Sequence, residues 1–481
     1  MIGVLSLLLP AALAAYFLYQ AARRPIFLLG IPFMQFMAQS IFFRDLRPFR
    51  MPVALGTNGV ILMWMALAWA WCVVRSRAEA RSSQPLPRRR PAHLLPEEYP
   101  LVALAVLVLA KLLWGGIVSA DTQALLGQFA PWGLLLAGYC LLRGAVRRSS
   151  SQDVAAFLLA VAVATTIASM LFILDQGLGV PIYHVQAYQV ITFQGQTLTR
   201  TYWFMSPFLL VALAVGAALA TGRAKGPWRA GAIVVVAVCL VAVMVSYTRN
   251  YVLAAAAVIV VLVALHSLKE RRLDVLVRRS LTIAAVLTIA VVFMVLVMPG
   301  PTNYLLHRMA SLTRVSTAVK DQNVLVRQAD LNTVGRIVYE HYPLVGAPFG
   351  VLDDMSRKVS IWIPDSTWVG VLYWTGFVGV ALGSATFILF GVRAFRLFLS
   401  ASGSTEFLGA VYLAGIVAMF VNGLSGWSFL DESAYAMGFW LFAFVAGETI
   451  KSTELGLGAL QDVGRGVEEG AGLGRYSRRP S

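Results

Sequence analysis

Four arginines, an Asp-Ser pair and a histidine are the residues best suited to chemistry in a chain that is otherwise almost wholly apolar. Arg200 stands in Thr199-Arg200-Thr201-Tyr202-Trp203, with Pro207 shortly after, and Arg249 lies in the polar notch Ser246-Tyr247-Thr248-Arg249-Asn250. Arg327 and Arg336 precede Tyr342-Pro343-Leu344-Val345-Gly346 and Gly350, while Asp365-Ser366 opens a stretch containing Gly370, Gly376 and Gly379. A guanidinium is permanently charged and presents a planar fork of donors matched to phosphate oxygens, so several on one face make a diphosphate clamp. The competing use for each is to snorkel toward lipid headgroups. For Arg249 the clamp is the better reading, because a turn barely long enough to join two apolar spans needs no charge beside the hydrocarbon. Asp365 at a helix start gains from the positive end of the dipole and can cap exposed N–H groups. The same place lets it take a proton from a bound hydroxyl, with partial burial tuning its pKa. His341, in Tyr339-Glu340-His341-Tyr342-Pro343, and Ser366 are further candidates for substrate contact.

Composition dictates the elements that must hold these groups. Of 481 residues, 59% are hydrophobic and 13% charged, far from the soluble range and typical of a polytopic membrane protein. Apolar runs of about 20 residues match the hydrocarbon thickness, and helices satisfy their own backbone groups in lipid. The expected fold is therefore all-α, a transmembrane bundle of about 12 to 14 spans with one large periplasmic helical loop. Residues 1–450 form the membrane domain, with the loop at 300–365 inside it, and 451–481, rich in glycine and charge, form a disordered cytoplasmic tail. Spans are expected over 100–119, 250–268 and 366–392, among about 13 in all. Apolar residues at three and four spacing predict amphipathic helices near 304–315 and 324–339, roofing a cavity.

A net charge of +16 does not indicate nucleic acid, because the arginines stand in short runs beside apolar spans. Segments 75–99, 143–153, 223–229, 269–279 and 393–406 carry most of this charge and fall on the cytoplasmic side; 121–131, 180–201, 247–250, 301–364 and 426–431 fall opposite. Strict alternation of the spans does not quite reproduce this, which implies one misjudged span. Arg44, Arg47 and Arg50 sit awkwardly, so the second span is re-entrant or these residues meet an anionic partner. Residues 75–99, with Arg88-Arg89-Arg90, form a linker near anionic headgroups. The opening run places Arg23-Arg24 after its apolar residues, unlike a cleavable signal peptide, and is taken as a retained span. Cys72, Cys140 and Cys239 all lie in apolar spans and imply no disulfide or metal site. Lys111 stands mid-span, must face protein, and serves an ion pair or a pathway; the sequence names no partner. Asp353-Asp354 lacks further ligands at metal-binding spacing, and no HExxH, Walker loop, GxSxG or GxGxxG in the right context occurs.

These residues together resemble the O-antigen polymerase and O-antigen ligase family of bacterial envelope glycosyltransferases. Asp365-Ser366, nine residues, then Gly376-Phe377-Val378-Gly379 is similar to the family's helix opening, with Asp in place of His. Ser246-Tyr247-Thr248-Arg249 resembles its Ser/Thr-x-Ser/Thr-Arg-Gly turn, with Asn250 for Gly; Arg327 with Pro343, Gly346 and Gly350 resembles its Arg plus Pro-x-x-Gly-x-Gly element, with Pro348 for one glycine. Arg200 and Pro207 resemble a fourth element, with Trp203 and Phe208 departing from it. The resemblance implies transfer of glycan repeat units from a polyprenyl-diphosphate carrier of the undecaprenyl type to an acceptor glycan hydroxyl, at the periplasmic face of the bacterial inner membrane. It implies neither metal nor cofactor, and as partners the lipid-linked oligosaccharide, the acceptor glycan and membrane lipids, with no nucleic acid. Asp365 and Arg249 would be catalytic, and Arg200, Arg327, Arg336, His341 and Ser366 would bind substrate. Because His marks the ligases, Asp365 favours a polysaccharide polymerase over ligase-type transfer to a lipid or protein. A polysaccharide or lipid flippase, and a cell-wall glycan polymerase of the shape, elongation and division type, are the rivals.

Overall fold

The computed structural model of the protein describes residues 2–31, 34, 57–82, 94–118, 122–178, 187–193, 196–201, 206–222, 224–246, 248–271, 273–300, 302–306, 322–350, 367–425 and 440–453. Helices dominate: α1 (Ile2–Arg23), α2 (Thr57–Ser82), α3 (Tyr99–Val118), α4 (Thr122–Arg148), α5 (Ser151–Leu178), α6 (Ser206–Thr221), α7 (Pro227–Val245), α8 (Arg249–Glu270), α9 (Leu273–Val297), α10 (Gln322–His341), α11 (Thr367–Ser400), α12 (Ser404–Ser425) and α13 (440–453). Among the described residues seven stretches are long and apolar enough to cross a membrane: Pro96–Val118, Ser151–Asp175, Pro227–Val245, Arg249–Glu270, Val277–Val297, Thr367–Ser400 and Ser404–Leu424.

Segment 180–201, expected to be a connection, contains an antiparallel hairpin that an all-α fold does not anticipate. Strands β1 (Ala187–Phe193) and β2 (Gln196–Thr201) pair with Phe193 opposite Gln196 and Val190 opposite Thr199. Its signal is the β-branched and aromatic run Val190-Ile191-Thr192-Phe193 ahead of Gln194-Gly195.

The bundle is built around α6, whose residues Phe208 to Ala218 include no exposed side chain. It packs against α5, α7, α8 and α12. A helix apolar on every face belongs in such a centre, and its small residues, Ala212, Ala214, Gly216, Ala217 and Ala218, let neighbours approach closely where lipid supplies no hydrophobic drive between helices. The same logic joins α11 to α12: a Cβ on Gly409 would lie 2.6 Å from the Phe398 nitrogen and 3.0 Å from the Ala394 oxygen.

Ion pairs gather at one end of the bundle and orient it. The buried Glu98 carboxylate accepts from Tyr139 Oη (2.6 Å), from the Leu95 amide (2.6 Å) and from Arg143 (2.6 Å). Near it Arg393 meets Glu97 at 3.8 Å, and Lys451 pairs with the buried Glu448 at 2.8 Å. On the far side of the same end, Lys269 pairs with Glu406 at 3.2 Å and donates to the carbonyls of Phe398 and Ala401, both at 2.9 Å. These contacts place the starts of α3, α5 and α12 and the ends of α4, α8 and α11 at that end.

Candidate functional site

The opposite end of the bundle holds the candidate site, and α11 shapes it. Within the span expected over 366–392 the helix reverses at Gly376, with φ 63° and ψ −164°, a conformation open in practice to glycine alone. An unbroken helix would separate positions 368 and 387 by about 28 Å. Instead the Trp368 ring lies 5.6 Å from that of Phe387 and 5.4 Å from that of Phe420 on α12. The nine residues before Gly376 are therefore a short arm folded back along the long arm, which continues to Ser400. Gly379 is needed one turn later because a Cβ there would fall 1.8 Å from Thr375 Oγ1.

A helix reversal strands backbone groups, carbonyls from the arriving arm and amides from the departing one. The loop after α10 takes them up. The Phe377 amide donates to the Pro343 carbonyl (3.1 Å), the Val378 amide to Leu344 (3.1 Å), and the Ala347 amide to the Tyr373 carbonyl (2.8 Å). The approach is backbone to backbone: a Cβ on Gly346 (φ 71°) would lie 2.6 Å from the nitrogens of Thr375 and Gly376. The two glycine motifs that sequence reading singled out thus meet each other. Their spacing serves this junction, whatever else it serves.

Lys111 completes the junction. Its Nζ donates to the Gly346 carbonyl and lies 4.6 Å from the centre of the Trp114 ring. An uncompensated lysine at the centre of a span costs about 2.5 to 3.5 kcal/mol on insertion scales, and a carbonyl dipole with an aromatic face offsets part of that. On either side, Gly115 admits the Phe349 carbonyl, which would sit 2.3 Å from a Cβ there, and Gln128 Oε1 accepts the Gly350 amide at 2.8 Å.

Arg249 is the first residue of α8, 8% exposed, next to the buried Asn250 and Ser246. The Ser246 hydroxyl donates to the Val243 carbonyl (2.7 Å), and Thr248 Oγ1 donates to the Ser246 carbonyl (3.1 Å), closing the tight link between α7 and α8. Helix rise places Arg249 about 30 Å along α8 from Lys269, and Asn422 about 24 Å along α12 from Glu406. Because Lys269 and Glu406 touch and α8 packs on α12, Arg249 and the buried Asn422 both lie toward the end of the bundle away from that ion pair. Thr367, 1% exposed, is adjacent to Trp368, whose ring meets Phe420 of α12. Among the described residues, the buried charged side chains at this end are the cations Arg249 and Lys111, while the buried carboxylates Glu98 and Glu448 lie at the other.

The remaining candidates divide. Arg336, 68% exposed, pairs with Glu340 at 2.9 Å along one face of α10, and His341 is exposed at the end of that helix, its ring 6.1 Å from Tyr342. Neither is buried. Arg200 belongs to β2, opposite Gln189, and Arg327 to α10, but both side chains lie outside the described residues. Asp365 and Ser366 also lie outside them, as do Asp353-Asp354, Arg44, Arg47 and Arg50. The three cysteines are free. The chain matches no protein-family model, and no curated protein matches it.

Proposed function

We propose that the protein is an envelope polysaccharide polymerase that moves a glycan repeat unit from a polyprenyl-diphosphate carrier onto an acceptor glycan hydroxyl. The observation that carries this reading is a buried guanidinium, Arg249, opening α8 at the end of that helix away from the Lys269–Glu406 ion pair. In the reaction the acceptor hydroxyl oxygen bonds to the anomeric carbon as that carbon's bond to the diphosphate breaks. The electron pair leaves with the polyprenyl diphosphate, and the hydroxyl proton passes to the Asp365 carboxylate. Arg249 meets the charge that grows on the departing phosphate oxygens, a preorganised electrostatic role. Asp365 acts as general base. Arg200, Arg327, Arg336, His341 and Ser366 contact donor or acceptor from the helical loop and its neighbours.

The resemblance of four sequence elements supports this reading, as does the arrangement of charge. Basic runs flank the ion-paired end, which the positive-inside rule makes cytoplasmic, so the site faces outward from a bacterial inner membrane. A bundle of about 12 to 14 spans with loop 300–365 on that outer face completes the architecture. Ligase-type transfer to a lipid or protein acceptor uses the same groups.

One observation favours a second class. Secondary transporters bind substrate where helices are interrupted, and α11 is interrupted at Gly376. Purified protein given a lipid-diphosphate oligosaccharide separates the readings on a gel. A polymerase yields a ladder of lengthening glycans, a ligase adds one block to a distinct acceptor, and a flippase relocates the lipid across vesicles without forming a bond.

A further inference from the structure

We propose that Lys111 is a positioning residue: by holding the Gly346 carbonyl it clamps the loop 342–350 onto the reversal of α11, and so fixes the half-helix that follows Asp365-Ser366. The inference rests on the reading above for what is being positioned, and on separate geometry for the clamp itself.

Lys111 is 2% exposed in an apolar helix, and among the described residues it meets one carbonyl and one indole face. Packing alone is better served by leucine or methionine at such a place, so the retained cation points to a directional task. Gly346 is the centre of the junction. Its amide is bound by the Tyr342 carbonyl at 2.9 Å, its Cα faces Gly376, and its carbonyl is the group Lys111 takes. The other ties from loop to reversal are backbone bonds between two short, irregular segments; Lys111 joins the centre of the junction to the wall of the bundle. With Gln128 holding the Gly350 amide, α3 and α4 brace the loop from one side while the tip of α11 abuts it from the other. Because α10 runs directly into this loop, the clamp also sets the helix carrying Arg327 and Arg336 relative to the short arm of α11.

The test uses full-length protein with Cys72, Cys140 and Cys239 replaced by alanine, and Leu344→Cys paired with Val378→Cys across the 3.1 Å backbone bond that joins those positions. Disulfide formation between the pair is followed with lysine, methionine or arginine at position 111, alongside glycan transfer by the corresponding chains without added cysteines. Lys111→Met keeps the apolar stem and Lys111→Arg keeps the charge. The clamp predicts that Lys111→Met slows cross-linking several-fold and lowers kcat about 10- to 100-fold, as expected for sub-ångström misplacement of reacting groups. It predicts that the donor KM stays within about threefold, and that Lys111→Arg restores most of both losses. Unchanged cross-linking in Lys111→Met overturns the clamp, and slowed cross-linking with wild-type kcat overturns the positioning role. If the unsubstituted chain forms no glycosidic bond, the polymerase reading falls, while the cross-linking rate still decides the clamp.

Discussion

Arg249 carries the most weight of any single side chain, since a guanidinium cannot shed its charge to escape burial. Arg249→Ala is expected to lower transfer about 100-fold or more, the scale of losing one preorganised donor to a developing anion. In cells the readout is loss of polymer with lipid-linked repeat units accumulating and the protein still in the membrane. Arg249→Lys restores charge without the bidentate fork and is expected to recover only part of the activity. Asp365→Asn, which keeps shape and removes the base, is expected to cost about 10² to 10⁴ in rate, read in the same assay. Arg336 contrasts with Arg249. Its pairing with Glu340 was readable from the four-residue spacing, and exposed helix pairs of that kind contribute about 0.5 kcal/mol or less, so Arg336→Ala should leave the melting temperature almost unchanged. Arg249 stands out in the sequence because so short a turn needs no charge beside the hydrocarbon, whereas its burial is seen only in the structure. Lys111 was legible as a problem without an answer, because a backbone carbonyl 235 positions away leaves no mark in sequence.

At the scale of elements, apolar runs told where helices lie but not that one of them turns back. Hydropathy is blind to direction, and the 34 residues of α11 read as a continuous greasy stretch. The glycines were visible as a motif. What they do, reversal at Gly376, clearance of Thr375 at Gly379 and close approach at Gly346, depends on a partner loop whose arrival is a matter of tertiary structure. Gly346→Ala places a methyl within 2.6 Å of three backbone atoms and forces a positive φ on a residue that resists it. It is expected to destabilise the purified protein by about 1 to 3 kcal/mol, seen as a lowered melting temperature. Gly116→Ala, one turn beyond the Lys111 region with nothing within 4 Å of the added carbon, should leave that temperature unchanged and serves as the control. The β-hairpin was missed for a different reason: its strands are short and sit between long apolar helices that dominate any window average.

Across the whole molecule, charge placement is the property that ties sequence to orientation. Glu98, Glu97, Glu406 and Glu448 meet their basic partners at one end of the bundle, beside the basic loops that the positive-inside rule leads one to expect in the cytoplasm, and labelling decides that orientation. In a chain lacking its native cysteines, Tyr339→Cys on α10 is expected to react with a membrane-impermeant maleimide added to intact spheroplasts. Trp228→Cys, exposed at the start of α7 near the ion-paired end, is expected to react only after the membrane is opened. Reversed labelling would place the buried cations Arg249 and Lys111 toward the cytosol and remove the extracytoplasmic site. Bond formation itself is tested most directly by mass spectrometry of purified protein incubated with a single lipid-diphosphate oligosaccharide. The account predicts one polyprenyl diphosphate released for each glycosidic bond formed, with both products lost in Arg249→Ala. Carrier release without a new bond, or bond formation undiminished in Arg249→Ala, would contradict it.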